Sequence, residues 1–174
     1  MAPQLNPART AKYFLVIYAS GVVGKILVSF IAPMMGRRSL GVVFGLAAAA
    51  ALGFAGYFNS VLLNSFPVFV ILTAAAAFFA EGGFSNLAPY TVEQYGVSLG
   101  SRSSGLGQAA NGVGKILGPL ALAVLAGSDN IIAPKATADA VFPAATMLAV
   151  ALAFAFLGVE THGRPVALGH MAAE

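Results

Sequence analysis

Cysteine is absent from the 174 residues, so neither a disulfide nor a thiolate-held metal is available, and the redox compartment leaves no trace in the sequence. Charge is nearly as scarce: charged residues make up 9% of the chain against 59% hydrophobic, with a mean hydropathy of +0.86. A soluble domain carries roughly 25% charged residues, so this inventory cannot furnish a water-facing surface. The net charge of +3 is small and dispersed, unlike the basic footprint of a nucleic-acid-binding protein. Catalytic constellations are missing as well. There is no Ser-His-Asp set, no paired catalytic carboxylates and no metal-spaced histidine cluster, and His162 and His170 both fall in the tail. The chain therefore reads as a non-enzyme without cofactor or metal. The period-2 alternation of a membrane barrel strand is missing too.

What the chain does have is long apolar runs of the roughly 18–20 residues that cross a bilayer as helix. The expected class is an all-α integral membrane protein with five transmembrane helices. Residues 1–11, polar and holding two prolines, read as a flexible lead-in. Tyr13–Ala19 matches a signal-peptide core poorly, because the apolar pattern continues to Pro33. The spans are placed at residues 12–32, 40–58, 67–90, 103–127 and 140–159, with residues 160–174 as a partly ordered tail. Pro33–Ser39 is a tight connector with paired arginines, Asn59–Phe66 an uncharged turn, and Ser128–Asp139 a polar loop. Gly41 and Gly45 in the second span have the spacing that lets helices approach closely. The third span contains Gly82-Gly83 and Pro89, usual causes of a kink.

Pro89–Gly127 organises the rest. It opens with a polar connector holding Glu93 and Arg102, then runs into about 25 residues of membrane-spanning length. At 100° per residue, Gln108, Asn111 and Lys115 share one face, and Gly107, Gly114 and Gly118 form a second stripe roughly 70° away. The first set is expected to line a substrate cavity, the second to pack against a neighbouring helix.

Lys25, Glu81 and Lys115 lie well inside apolar spans, all near the middle third of the membrane. An ionised group there costs about 2.5–3.5 kcal/mol unless paired or hydrated. The least costly arrangement has Glu81 meeting Lys25 or Lys115. Such a group of charges serves either as an ion pair fixing helix register or as a wet cavity for a solute or a proton. In the second case Lys25 joins Gln108, Asn111 and Lys115 around the solute. Two lysines against one glutamate then favour an organic anion. Glu81, the only carboxylate inside a span, is the proton-coupling candidate.

With these residues located, the chain resembles the C-terminal part, about helices 8–12, of a major facilitator superfamily transporter, and is most similar to the metabolite:proton symporter and sugar-porter-like branches. Gly36-Arg37-Arg38 resembles the second half of the family's loop between helices eight and nine. The segment from Val92 to Gly107 resembles the acidic-x-Tyr-Pro…Arg-x-x-Gly connector, with Glu93, Tyr95, Arg102 and Gly105 at matching positions. The tail from Val159 to Arg164 resembles the Pro-Glu-Thr-x-Gly-Arg after helix twelve. The departures are Ala32–Met35 in place of an acidic residue and the first arginine, and Gly96 and Val159 in place of proline.

The resemblance implies alternating-access transport of a small polar metabolite with a proton, in the inner (plasma) membrane of a bacterium, with the C-terminus cytoplasmic. It implies a cytoplasmic gate of Gly36, Arg37, Arg38, Glu93, Arg102, Glu160 and Arg164. The partners it implies are a small-molecule substrate, protons, the lipid bilayer and an N-terminal half not present in this chain, which then reads as a fragment. The alternative is a five-helix accessory protein that associates with a partner and moves nothing.

Overall fold

Gly36 makes the first corner. Its backbone (φ 83°, ψ 151°) lies where only glycine sits without strain, and this one residue separates α1 (Pro7–Met35) from α2 (Arg37–Tyr57). The connector expected over Pro33–Ser39 thus shrinks to a single residue. Pro33 is absorbed in the last turn of α1, and residues 7–11 are helical rather than part of a flexible lead-in. These elements come from a computed structural model that describes residues 7–64, 66–126 and 132–161.

After α2, a minimal antiparallel ladder pairs β1 (Leu62–Leu63) with β2 (Phe66–Pro67), Leu63 opposite Phe66. α3 (Val68–Ser85) follows, and then α4 (Leu87–Ala126). The interruption falls at Asn86, between Gly82-Gly83 and Pro89. The Asn86 N–H bonds the Gly83 carbonyl at 3.2 Å, a tightened turn that hands the chain on with little loss of direction. The expected polar connector from Pro89 to Arg102 is therefore mostly helix. Its true break is buried Gly96, in the left-handed region at φ 74°. The loop expected up to Asp139 is likewise helical from Ile132, where α5 (Ile132–Leu157) begins.

The helices form a row. α5 packs on α2, α2 on α3, and α3 on α1, whereas α4 beyond Gly96 leans only lightly on its neighbours. α2 is central because one face carries Leu40, Phe44, Ala48, Ala51 and Ala55 at helical spacing, all buried. Phe44 meets Phe79 edge-on, ring centroids 5.4 Å apart, over Val28, Ala32 and Leu40. Glycines set the approach distances. A Cβ on Gly82 would come 2.9 Å from the Phe44 ring, and one on Gly24 would collide with the Phe78 carbonyl. Gly41 and Gly45 do what their spacing predicts, receiving the Phe154 ring and Ala151 of α5.

Among the described residues, three helices are long and apolar enough to cross a membrane: Ala8–Met35, Arg37–Tyr57 and Val68–Gly96. Val141–Leu157 is a shorter apolar helix. Five helices lie among the described residues, and three of them meet that measure. Large apolar side chains stand exposed along α1, among them Leu15, Tyr18 and Phe30, each 70% or more accessible. That is the outward face of an integral membrane protein rather than of a soluble one.

Candidate functional site

The helix ends around Gly36 carry most of the polar contacts between helices. Arg37 opens α2, and its guanidinium reaches across to α4: Nε and Nη2 donate to Glu93 Oε1 at 3.0 and 2.9 Å. Nη1 donates to Asn86 Oδ1 at 3.0 Å, and Asn86 Nδ2 returns a bond to the Arg37 carbonyl at 2.9 Å. Asn86 is 1% exposed, so this closed exchange satisfies an amide that would otherwise be costly to bury. Glu93 Oε2 accepts from the Thr161 hydroxyl at 2.5 Å, so both carboxylate oxygens are held.

One turn earlier, buried Tyr90 clamps the chain leaving α5. Its hydroxyl donates to the Val159 carbonyl at 2.9 Å and accepts from the Val159 N–H at 2.8 Å and from Gln94 Nε2 at 2.9 Å. Arg38 donates to the Phe154 carbonyl at 3.3 Å and to the Ala155 carbonyl. These belong to the last turn of α5, where carbonyls lack helical partners and favour a cation. Glu160 accepts from its neighbour's Thr161 N–H at 3.1 Å and from Ser39 at 3.4 Å. It lies so close to Gly36 that a Cβ there would be 2.6 Å from its Oε1. Two arginines and two glutamates thus tie together the start of α2, the start of α4 and the end of α5 with the residues that follow it.

A second pair bridges α1 and α3. Lys25 Nζ lies 2.7 Å from Glu81 Oε2, both side chains about half exposed (50% and 48%). The expectation that Glu81 meets one of the two lysines is met by Lys25. Nearby, the Ser20 hydroxyl donates to the Ala74 carbonyl at 2.7 Å.

Of the expected gate residues, Gly36, Arg37, Arg38, Glu93 and Glu160 come together. Arg102 does not: it is exposed and makes no hydrogen bond or ion pair among the described residues. Six residues past Gly96, it follows the second half of α4 rather than the junction. Arg164 lies outside the described residues. Gln108, Asn111 and Lys115 are exposed on α4, and neither they nor Lys25 lines the cavity formed by α2, α3 and α5. Gly107, Gly114 and Gly118 meet nothing within 4 Å of a built Cβ. A cavity between α2, α3 and α5, about 250 Å³, is walled by apolar groups including Phe79, Phe84, Met147 and Phe154. Among the described residues, no group of acids and histidines is arranged to hold a metal.

No protein-family model, curated protein or solved structure matches the chain.

Reading the sequence missed Asn86, Tyr90, Gln94 and Thr161. The signal existed: Asn86, Tyr90, Glu93 and Gln94 recur at helical spacing (0, 4, 7 and 8) and so share one face. Tyr95, the tyrosine that the family pattern favoured, is 55% exposed, whereas Tyr90 is 6% exposed.

Proposed function

We propose that this chain is part of a secondary active transporter that moves a small polar metabolite by alternating access, coupled to protons, and that the helix-end network is its cytoplasmic latch. The observation that carries this reading is the meeting of three separate stretches, Gly36–Arg38, Asn86–Glu93 and Val159–Thr161, in one hydrogen-bonded cluster. The first and third belong to stretches on which the resemblance to the major facilitator superfamily rests, and the second shares Glu93 with the family-like connector from Val92 to Gly107. A cluster of charge-assisted bonds at helix ends suits a latch. It is strong when dry, and it is released in parts when helices rock apart and water enters. Glu81 is the proposed proton-responsive group. Its partner Lys25 sits on another helix, so relative movement of α1 and α3 changes the charge it faces.

Energised membrane vesicles from cells with and without the chain test the proposal, using a panel of labelled small carboxylates and sugars under an imposed proton gradient. The expected result is proton-driven uptake that depends on the chain. Arg37→Ala and Glu93→Gln should alter exchange rate more than half-saturation concentration. Identical uptake with and without the chain removes the transport reading. It would leave the accessory-protein reading, which the wholly apolar lining of the α2–α3–α5 cavity favours.

A further inference from the structure

Lys115 lies ten residues after Gly105 and eleven before Ala126 in the apolar half of α4. That is about 15 Å from either end at 1.5 Å per residue, the centre of a hydrocarbon layer roughly 30 Å thick. An unpaired ammonium at that depth is costly. Among the described residues Lys115 has no hydrogen bond or ion pair. The sequence offers no acid to spare. Glu81 is taken by Lys25, and Glu93 is held by Arg37 and Thr161. Asp129 and Asp139 precede the apolar stretch of α5 that starts at Val141, and Glu160 and Glu174 follow it. The backbone at the same level is also incomplete. Pro119 lies inside α4 and has no N–H to give to the Lys115 carbonyl four residues earlier. In lipid such a carbonyl needs another donor.

From these observations we infer that the Gln108–Asn111–Lys115 face of α4 docks a membrane helix not contained in these 174 residues, one carrying a carboxylate at mid-bilayer depth and a hydrogen-bond donor beside it. The carboxylate pairs with Lys115, and the donor serves the carbonyl that Pro119 leaves open. The adjoining glycines, with open space in front of them, allow that helix to come close. A second copy of the chain is the poorer occupant, because its own Glu81 is held by its own Lys25. The inference requires only that α4 lies in the bilayer, so it stands or falls separately from transport.

Because the chain has no native cysteine, Ser101→Cys gives a unique fluorophore site at the polar end of this segment. The probe is a synthetic Leu/Ala membrane peptide of about 22 residues with one central Glu and a neighbouring Ser, set against the same peptide with Gln. Both are read by energy transfer in phosphatidylcholine vesicles. The Glu peptide should associate about tenfold more tightly, the scale of one polar contact between membrane helices. Lys115→Met should erase that preference, and Lys115→Arg, which keeps the charge, should retain it. Lys12→Gln should leave it unchanged. Equal association of the two peptides, or a preference that survives Lys115→Met, overturns the inference. So does displacement of the Glu peptide by unlabelled chain or by a soluble dicarboxylate, which would assign the face to a second copy or to a solute.

Discussion

Arg37–Glu93 and Lys25–Glu81 are both cation–carboxylate pairs, closed to 2.9 and 2.7 Å, and the shorter one is the weaker candidate for holding the fold. The Arg37 and Glu93 side chains are 20% and 26% exposed, and their remaining groups are taken up by Asn86 and Thr161. Lys25 and Glu81 are about half exposed and, among the described residues, have only each other. Distance alone therefore says little. A mostly buried pair embedded in a satisfied network is coupled to everything around it, whereas an open pair is free to part. The first suits a latch and the second a switch.

The largest expected effect comes from breaking the first pair. Arg37→Ala leaves Glu93 and the buried Asn86 amide without their donor, at a cost of about 2–4 kcal/mol, read as loss of unfolding free energy in mixed micelles. Arg37→Lys should recover less than half of this, because one ammonium cannot replace the planar fork that serves Glu93 and Asn86 together. A loss for Arg37→Ala below about 1 kcal/mol would put the two pairs on the same footing and end the contrast.

Next comes the packing on which both pairs depend. Gly24→Ala drives a methyl into the Phe78 carbonyl, and Gly82→Ala brings one to 2.9 Å from the Phe44 ring. Each should cost about 1–3 kcal/mol. Gly24→Ala should also lengthen the Lys25–Glu81 separation, which a spin-label pair across α1 and α3 would detect. An unchanged distance distribution would mean that the contact between α1 and α3 is set elsewhere.

Helical class, the packing role of Gly41 and Gly45 and the need for a lysine beside Glu81 were legible in the sequence, because each follows from local periodicity or from the cost of an unpaired charge; which of the two lysines it would be was not. The Gly36 corner was legible as a place but not as a size. Residues 33–39 look like loop, yet one glycine with positive φ does the turning and Pro33 is tolerated in the last helical turn. The break in the third span was expected from Gly82-Gly83 and Pro89 and falls between them at Asn86, and nothing local reveals that Gly82 is needed for the approach of Phe44. Asn86 and Tyr90 were hidden for the same reason: their value lies in Arg37 and Val159, 49 and 69 residues away. Conversely, the stripes on α4 are real features of the helix, but amphipathic pattern does not say which neighbour, if any, lies on either side.

A smaller structural effect with a distinct functional signature is expected at the open pair. In detergent, where water reaches the half-exposed Lys25 ammonium, Glu81→Gln should change stability by less than about 1 kcal/mol. Under the proposed function it should abolish uphill, proton-driven uptake and leave solute exchange intact. If uphill uptake survives, Glu81 is structural, and the pair differs from Arg37–Glu93 only in strength.

The smallest effect, and the one whose sign matters most, belongs to the glycines of α4. Gly24 and Gly82 are confined by backbone or ring atoms, whereas Gly107, Gly114 and Gly118 meet nothing within 4 Å. Helix-interior glycine is less favourable than alanine by about 0.5–1 kcal/mol when nothing packs on it. In the isolated chain, alanine at any of these three positions should therefore be neutral or stabilise α4 slightly, read as slower amide exchange along that segment. With a docked helix the sign should reverse, since each added methyl then holds the partner away and weakens association. A loss of stability already in the isolated chain would mean that the stripe is packed within the chain itself. The division between a tied helix junction and an untied second half of α4 would then disappear.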